Sequence, residues 1–156
     1  MTLQIRRYEA KDNQSAKELN YAGLKQMDPE TCWEGIAVAD ADYDDIENIY
    51  INHRGDFLVG TLGDEVVVTG AVKYLTNTCA EIKRIRVKPD YQRKGYGETM
   101  LKSLVERARE LGYKKLRIDT MTTNSRAQQL FKKAGFIQSH EGKIGDYDVL
   151  FFYTDI

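Results

Sequence analysis

The stretch Val87-Lys88-Pro89-Asp90-Tyr91-Gln92-Arg93-Lys94-Gly95-Tyr96-Gly97 decides the fold of this chain. It joins a β-rich segment to an amphipathic one, and two glycines separated by one residue stand where a helix has to begin. The first turn of a helix leaves its backbone N–H groups without partners and carries partial positive charge. Glycine has no Cβ, so the backbone there can approach a ligand closely. Arg93 and Lys94 add full positive charge. Amides, helix dipole and cations together make a cradle suited to a pyrophosphate.

Upstream of the cradle, Phe57–Leu62 and Val66–Tyr74 read as two strands flanking Gly63-Asp64, a hairpin signal. Cys79–Val87 reads as a third strand with a break in its pattern. Ile82 and Ile85 stand at an odd offset, Ile85 and Val87 at an even one. Strict alternation puts Ile82 and Ile85 on opposite faces. One extra residue near Lys83-Arg84 restores parity, which predicts a β-bulge there. Further upstream, Thr2–Tyr8 reads as a strand and Asp12–Gln26 as a helix. Met27–Gly35 reads as a loop holding Pro29 and Trp33, and Asp42–His53 as a second helix.

Downstream, Leu101, Leu104, Val105 and Ala108 recur at helical spacing within Gly97–Leu111, and Gly112 is the stop. Lys115–Thr120 is a short strand, Asn124–Ala134 a helix ended by Gly135, and Phe136–His140 and Asp148–Thr154 are two last strands. Val149-Leu150-Phe151-Phe152 reads as a strand buried on both faces, or as a dimer contact. The order predicts one domain over residues 1–156 with a mixed α/β sheet. Strand, helix and strand around Gly97–Leu111 imply a parallel crossover.

Composition narrows the class. The chain has 156 residues, 42% hydrophobic and 30% charged, enough for a single core. A net charge of −1 argues for no nucleic-acid partner. No apolar run approaches the roughly 20 residues of a membrane span. The charged segment Met1–Asn13 lacks the apolar core of a signal peptide, so the expected location is the cytoplasm and Cys32 and Cys79 are expected as free thiols. His53 and His140 lie far apart, and no Cys/His cluster has metal-site spacing. The loop lacks the Gly-Lys-Ser/Thr of a P-loop, and Met100 stands where a dinucleotide fingerprint needs its third glycine.

Two segments carry a family resemblance. Gln92-x-x-Gly95-x-Gly97, preceded by Val87-x-Pro89, resembles the acyl-coenzyme A signature of the GNAT superfamily of N-acetyltransferases. Asn124-x-x-Ala127-x-x-Leu130-Phe131-x-x-Ala134-Gly135-Phe136 is similar to that superfamily's second cofactor segment. The resemblance runs from about Cys79 to Phe136. It implies a mostly antiparallel sheet, splayed between its fourth and fifth strands and flanked by helices. It also implies acetyl-CoA as cosubstrate, a small-molecule or peptide amine as acceptor, and direct attack in a ternary complex. A non-catalytic acyl-CoA sensor is the alternative.

By the same resemblance, backbone N–H groups of Arg93, Lys94, Gly95, Tyr96, Gly97 and Glu98 hold the pyrophosphate. Ile85, Arg86 and Val87 pair with the pantetheine arm, and an N–H near Val87 faces the thioester oxygen. Asn124 bonds the pantetheine, or is an ordinary helix cap. Six bases and one acid between Lys83 and Lys94 suit an anionic ligand, or form a solvated strand edge. Asp40, Asp42, Asp44, Asp45 and Glu47 read as a solvated helix start, or as an acidic rim for a cationic amine.

The amine must be neutral to attack. An alkylamine with a pKa of about 10.4 is neutral roughly one time in a thousand at pH 7, so a base matters. Glu81 and Asp119 are the two candidates, each otherwise a surface strand acid. The family's usual proton donor to the leaving thiolate is a tyrosine, and Phe131 stands at that position. Phe131 also has the spacing of a core residue. Tyr91, Tyr96 and Tyr147 are possible substitutes, and a thiol of pKa about 8.5 is a tolerable leaving group without one. By family analogy Trp33 and the link Glu141–Tyr147 shape the acceptor site. Monomer and homodimer both remain open.

Overall fold

The computed structural model describes residues 1–32 and 41–156. Seven strands form one sheet: β1 (Gln4–Arg7), β2 (Asp56–Leu62), β3 (Glu65–Tyr74), β4 (Cys79–Val87), β5 (Lys115–Met121), β6 (Ile137–Ile144) and β7 (Tyr147–Asp155). Their spatial order is β1-β2-β3-β4-β5-β7-β6. Only β4 and β5 run parallel; the other pairs are antiparallel. Among the described residues the α-helices are α1 (Asn13–Met27), α2 (Tyr96–Glu110) and α3 (Ser125–Lys133).

Alternating side chains place a core on each face of the sheet. On one face Ala80, Ile82, Leu116, Ile118 and Phe152 meet Met100, Leu101 and Leu104 of α2 and Phe131 of α3. On the other, Phe57, Val59 and Ala71 meet Ala16 and Leu19 of α1, with Tyr43, Ile46 and Tyr50. Trp33 and Asp40 lie outside the described residues.

The bulge falls where the broken pattern put it. The β3–β4 register jumps from Thr69↔Arg86 to Ala71↔Lys83, so β4 carries one extra residue. Arg84 takes φ +59° within it. The Thr69 hydroxyl donates to the Arg84 carbonyl at 2.9 Å. Parity is thereby restored, and Ile85 and Val87 pack on the same core as Ile82. The turned Arg84 side chain reaches Asp42, with Nε to Oδ2 at 2.9 Å and Nη2 to Oδ1 at 2.8 Å. Tyr50 donates to the same carboxylate at 2.5 Å.

Several expectations need correction. Asp42–His53 is not a regular helix: Ala41–Asp45 is 3-10 and Glu47–Ile51 a single π turn. Clustered acids and β-branched residues hold no steady helical geometry there. Nor is this acidic run simply solvated, because Asp42 neutralises Arg84 and Asp44 pairs with Lys17 at 2.6 Å. Glu141–Tyr147 is no open link. It is the end of β6, a turn and the start of β7. β6 is an edge strand exposed on both faces, so its polar residues carry no apolar alternation. Within Val149–Phe152, Val149, Leu150 and Phe152 are buried, while Phe151 is half-buried beneath the stacked ring of His140.

Burial pushes the Asp42 carboxyl up, but the hydrogen bonds and charge of Arg84, with the Tyr50 hydroxyl, hold it below the ordinary range. A carboxylate with a depressed folded pKa stabilises above its unfolded pKa and loses that contribution as pH falls through the folded value. Asp42→Ala leaves a mostly buried guanidinium unpaired, so chemical denaturation at pH 7 is expected to show a loss of about 3–5 kcal/mol. The gap to wild type narrows as pH falls below the ordinary carboxylate range. A loss under 1 kcal/mol at pH 7 would remove the pair from the account of the bulge.

Candidate active site

β4 and β5 share only three residue pairs: Cys79↔Lys115, Ala80↔Leu116 and Glu81↔Arg117. Beyond Glu81 the strands part. β4 continues on β3 alone and β5 on β7 alone. The sheet is therefore open from Ile82 to Val87 on the β5 side.

The cradle lies at the end of that opening. Pro89–Tyr91 forms one 3-10 turn, and Gln92 ties the next segment down by donating to the Val87 carbonyl at 3.2 Å and to Gln26 at 2.9 Å. Arg93 and Gly95 then adopt left-handed φ of +64° and +84°. These alternating conformations turn successive N–H groups to one side, as in an anion nest. Among the described residues, the backbone N–H groups of residues 93–98 have no hydrogen-bond acceptor. Arg93 and Lys94 are exposed. A Cβ built on Gly97 lies 3.5 Å from Val87 and 4.0 Å from Leu130, which places the start of α2 between the end of β4 and α3.

The basic run is less available than its composition suggests. Lys83 faces Glu81 at 3.7 Å, Arg84 holds Asp42, and Lys88 pairs with Glu65. Arg86 turns its side chain against α1. Arg93 and Lys94 remain without an ion pair among the described residues. Glu98 in the first turn of α2 is paired with Lys133 at 3.3 Å and Lys102 at 3.5 Å, and those lysines hold its carboxyl below the usual range.

The two carboxylate candidates come together on the α1 side of the sheet, but in different states. Glu81 is 7% exposed, so it is no surface acid. Arg117 Nε donates to its Oε2 at 2.7 Å, and the Arg117 Nη2 bonds the same oxygen. Asp119, two residues along β5, has no hydrogen bond or ion pair among the described residues and is half-buried. Burial pushes its carboxyl up, and the Glu81 charge pushes it further, against the pull of Lys83, Arg117 and Arg86. A carboxylate raised by burial and a like charge, on the wall of an opening, suits proton transfer.

Asn124 caps α3, its Oδ1 accepting from the Ala127 N–H at 3.1 Å. Phe131 is 5% exposed and packs edge-on against Phe152 at 5.5 Å, so its ring belongs to the core. Of the three substitute tyrosines, Tyr91 donates to Glu65 at 2.9 Å and Tyr147 to Asp28 at 3.0 Å. Tyr96 stands in the cradle itself. Sequence reasoning missed Arg117, the cation that holds Glu81. Only the three-residue β4–β5 register brings these distant residues side by side. Cys32 is exposed, Cys79 is buried, and no disulfide joins them. Among the described residues no helix is long and apolar enough to cross a membrane.

Known proteins place this geometry. YvbK, an uncharacterized N-acetyltransferase of Bacillus subtilis, is 30% identical over 115 residues, 72% of this chain and 74% of that protein. YsnE of the same organism, also an uncharacterized N-acetyltransferase, is 34% identical over 76 residues, 47% of this chain, and the match spans half of its length, 50%. The structure of yncA from Salmonella typhimurium, solved with acetyl-CoA, superposes with a TM-score of 0.79 at 18% identity, covering 99% of this chain and 94% of that one. The family model described as the acetyltransferase (GNAT) family matches residues 22–136. That span takes in the splay, the cradle and α3, and the chain belongs to the GNAT superfamily of N-acetyltransferases.

Proposed function

We propose that this chain transfers an acetyl group from acetyl-CoA to a primary amine by direct attack in a ternary complex. One observation carries the reading: six successive backbone N–H groups, 93–98, lie without acceptors among the described residues, at the end of an opened parallel strand pair. A diphosphate satisfies such amides, and an extended pantetheine arm satisfies a free strand edge.

When bound, acetyl-CoA supplies an activated thioester: the amine forms the C–N bond, the C–S bond breaks, and its electron pair leaves on sulfur. The chain does the rest. The amides of Arg93, Lys94, Gly95, Tyr96, Gly97 and Glu98 hold the pyrophosphate, and Gln92 fixes their turn. The edge of Ile85, Arg86 and Val87 aligns the arm, and an N–H near Val87 stabilises the oxygen that gains charge. Asn124 orders the facing helix start. Asp119 takes the proton the amine must lose, directly or through water. Glu81, held in place by Arg117, keeps Asp119 basic by its negative charge and serves as the alternative base. Phe131 gives no proton, so the thiolate leaves unaided or takes one from Tyr96. That residue also favours a second reading, an acyl-CoA-binding module without turnover. It predicts coenzyme binding with no release of free thiol in the presence of amines.

Two outcomes test the reading. Acetyl-CoA is expected to raise the melting temperature of the chain. Gly95→Ala, which meets no atom within 4 Å but must hold φ +84°, is expected to weaken coenzyme binding about five- to tenfold, roughly 1–1.4 kcal/mol. Unchanged affinity by calorimetry would move the pyrophosphate elsewhere.

The raised Asp119 pKa gives the second. A base works above its pKa, so kcat/KM for an alkylamine falls with pH through a value above the ordinary carboxylate pKa of about 4. Asp119→Asn is expected to lower transfer by roughly a hundredfold or more. It is also expected to raise the melting temperature at neutral pH. The unfolded chain ionises this carboxyl at lower pH than the folded one, so folded stability declines between the two values and the deficit persists above them. Wild-type rates in Asp119→Asn would pass the role to Glu81.

A further inference from the structure

Arg86 stands on β4 past the last β4–β5 pair, directed to the α1 side. Its Nε donates to Asn20 Oδ1 at 3.2 Å and its Nη1 to the Ile85 carbonyl at 3.2 Å. Its neighbours Arg84 and Arg117 each hold a carboxylate; among the described residues no carboxylate pairs with Arg86. The surroundings are shaped for it. Asn20 is fully buried. Gly23, one turn along α1, leaves the space a side chain would fill: a Cβ there would lie 2.6 Å from Arg86 Cδ and 2.9 Å from Nε.

A second observation meets the first. The Tyr43 hydroxyl is the buried side-chain polar atom that lacks a hydrogen-bond partner among the described residues. Tyr43 is 1% exposed. It lies within electrostatic reach of Arg86, each influencing the other's ionisation. Burial pushes the phenol up to about 12, so it remains a donor at neutral pH. A buried donor without an acceptor costs about 1–3 kcal/mol. The guanidinium fork presents donors only, and the phenol, whose oxygen can also accept, still has its hydroxyl hydrogen to give. The complementary group is one with acceptors only and a planar pair of oxygens, which describes a carboxylate.

We propose that the acceptor amine carries a carboxylate, as a free amino acid does, and that Arg86 and Tyr43 bind it. This rests on the acetyl-transfer reading above. Arg86 stands on the β4 wall of the opening and Asp119 on the β5 wall, both on the α1 side, so the carboxylate end is assigned to Arg86 and the amine end to Asp119. The local charges agree. Lys83, Arg86 and Arg117 outnumber Glu81 and Asp119, an excess that a carboxylate cancels and a polyamine increases. A peptide N-terminus offers an amide where the carboxylate belongs.

The test is free-thiol release by the purified chain with acetyl-CoA and a panel of amino acids. Each is paired with its primary amide and methyl ester, and spermidine is included. The acids are expected to exceed their amides and esters in kcat/KM by thirtyfold or more, through KM. Arg86→Gln and Gly23→Ala are expected to shrink that ratio below threefold, and Tyr43→Phe to reduce it severalfold. Amides, esters or spermidine that match the acids in the wild-type chain overturn the proposal, whatever the variants do. So does a ratio that survives Arg86→Gln in a folded protein. If no amine releases thiol, thermal protection of the coenzyme-loaded chain by acids but not amides supports the site, and equal or absent protection refutes it. Failure of acetyl-CoA itself to protect the chain sinks the transfer reading first, and this proposal with it.

Discussion

Everything functional in this molecule depends on two parallel strands that stop pairing after three residues. A parallel ladder continues when both backbones keep the same twist and pleat. Here β4 gains an extra residue and Arg84 turns to φ +59°, so the strand bends away from β5 while staying bonded to β3. The Arg84 side chain is thereby sent into Asp42, and that bidentate pair resists the bend relaxing. On the near side of the opening, Arg117 clasps Glu81 across the last rung. The gap is thus bounded by two ion pairs, one that makes it and one that closes it.

The same economy of charge marks out what is left over. Four cations near the opening hold carboxylates: Lys83 and Arg117 share Glu81, Arg84 holds Asp42 and Lys88 holds Glu65. The groups without a described partner are therefore informative. The amides of residues 93–98, with Arg93 and Lys94, await an anion at the far end. The Asp119 carboxyl on one wall is pushed up by burial and by the charge of Glu81. Arg86 lies against Asn20 of α1, and Tyr43, its hydroxyl without a described partner, packs in the core beneath the same helix. In the proposed reading, coenzyme, proton and acceptor are assigned to groups on the walls and at the end of the opening where the strands separate.

Much of this was legible along the chain because local rules govern it. The glycines at 95 and 97, the helical stripe ending at Gly112, and the Gly63-Asp64 turn are short-range signals that the fold obeys. Even the bulge could be read, since a one-residue slip in alternation is visible without any partner strand. Edge strand β6 could not be read to its end, because a strand solvated on both faces has no apolar period to display. The segment after Ala41 was overcalled as helix, because acids at the start of a run look like a cap when their partner is out of sight.

The sequence by itself determined the order of the strands, the glycine turn at 95–97 and the place where one strand must bulge, since each is written in neighbouring residues. Only the tertiary structure decided which charges are spent and which are available. Glu81 meets Arg117, and Asp42 meets Arg84, across separations that no spacing rule covers. Ionisation and pairing depend on what lies within a few ångströms in space, and the chain brings those groups together only when the sheet is built.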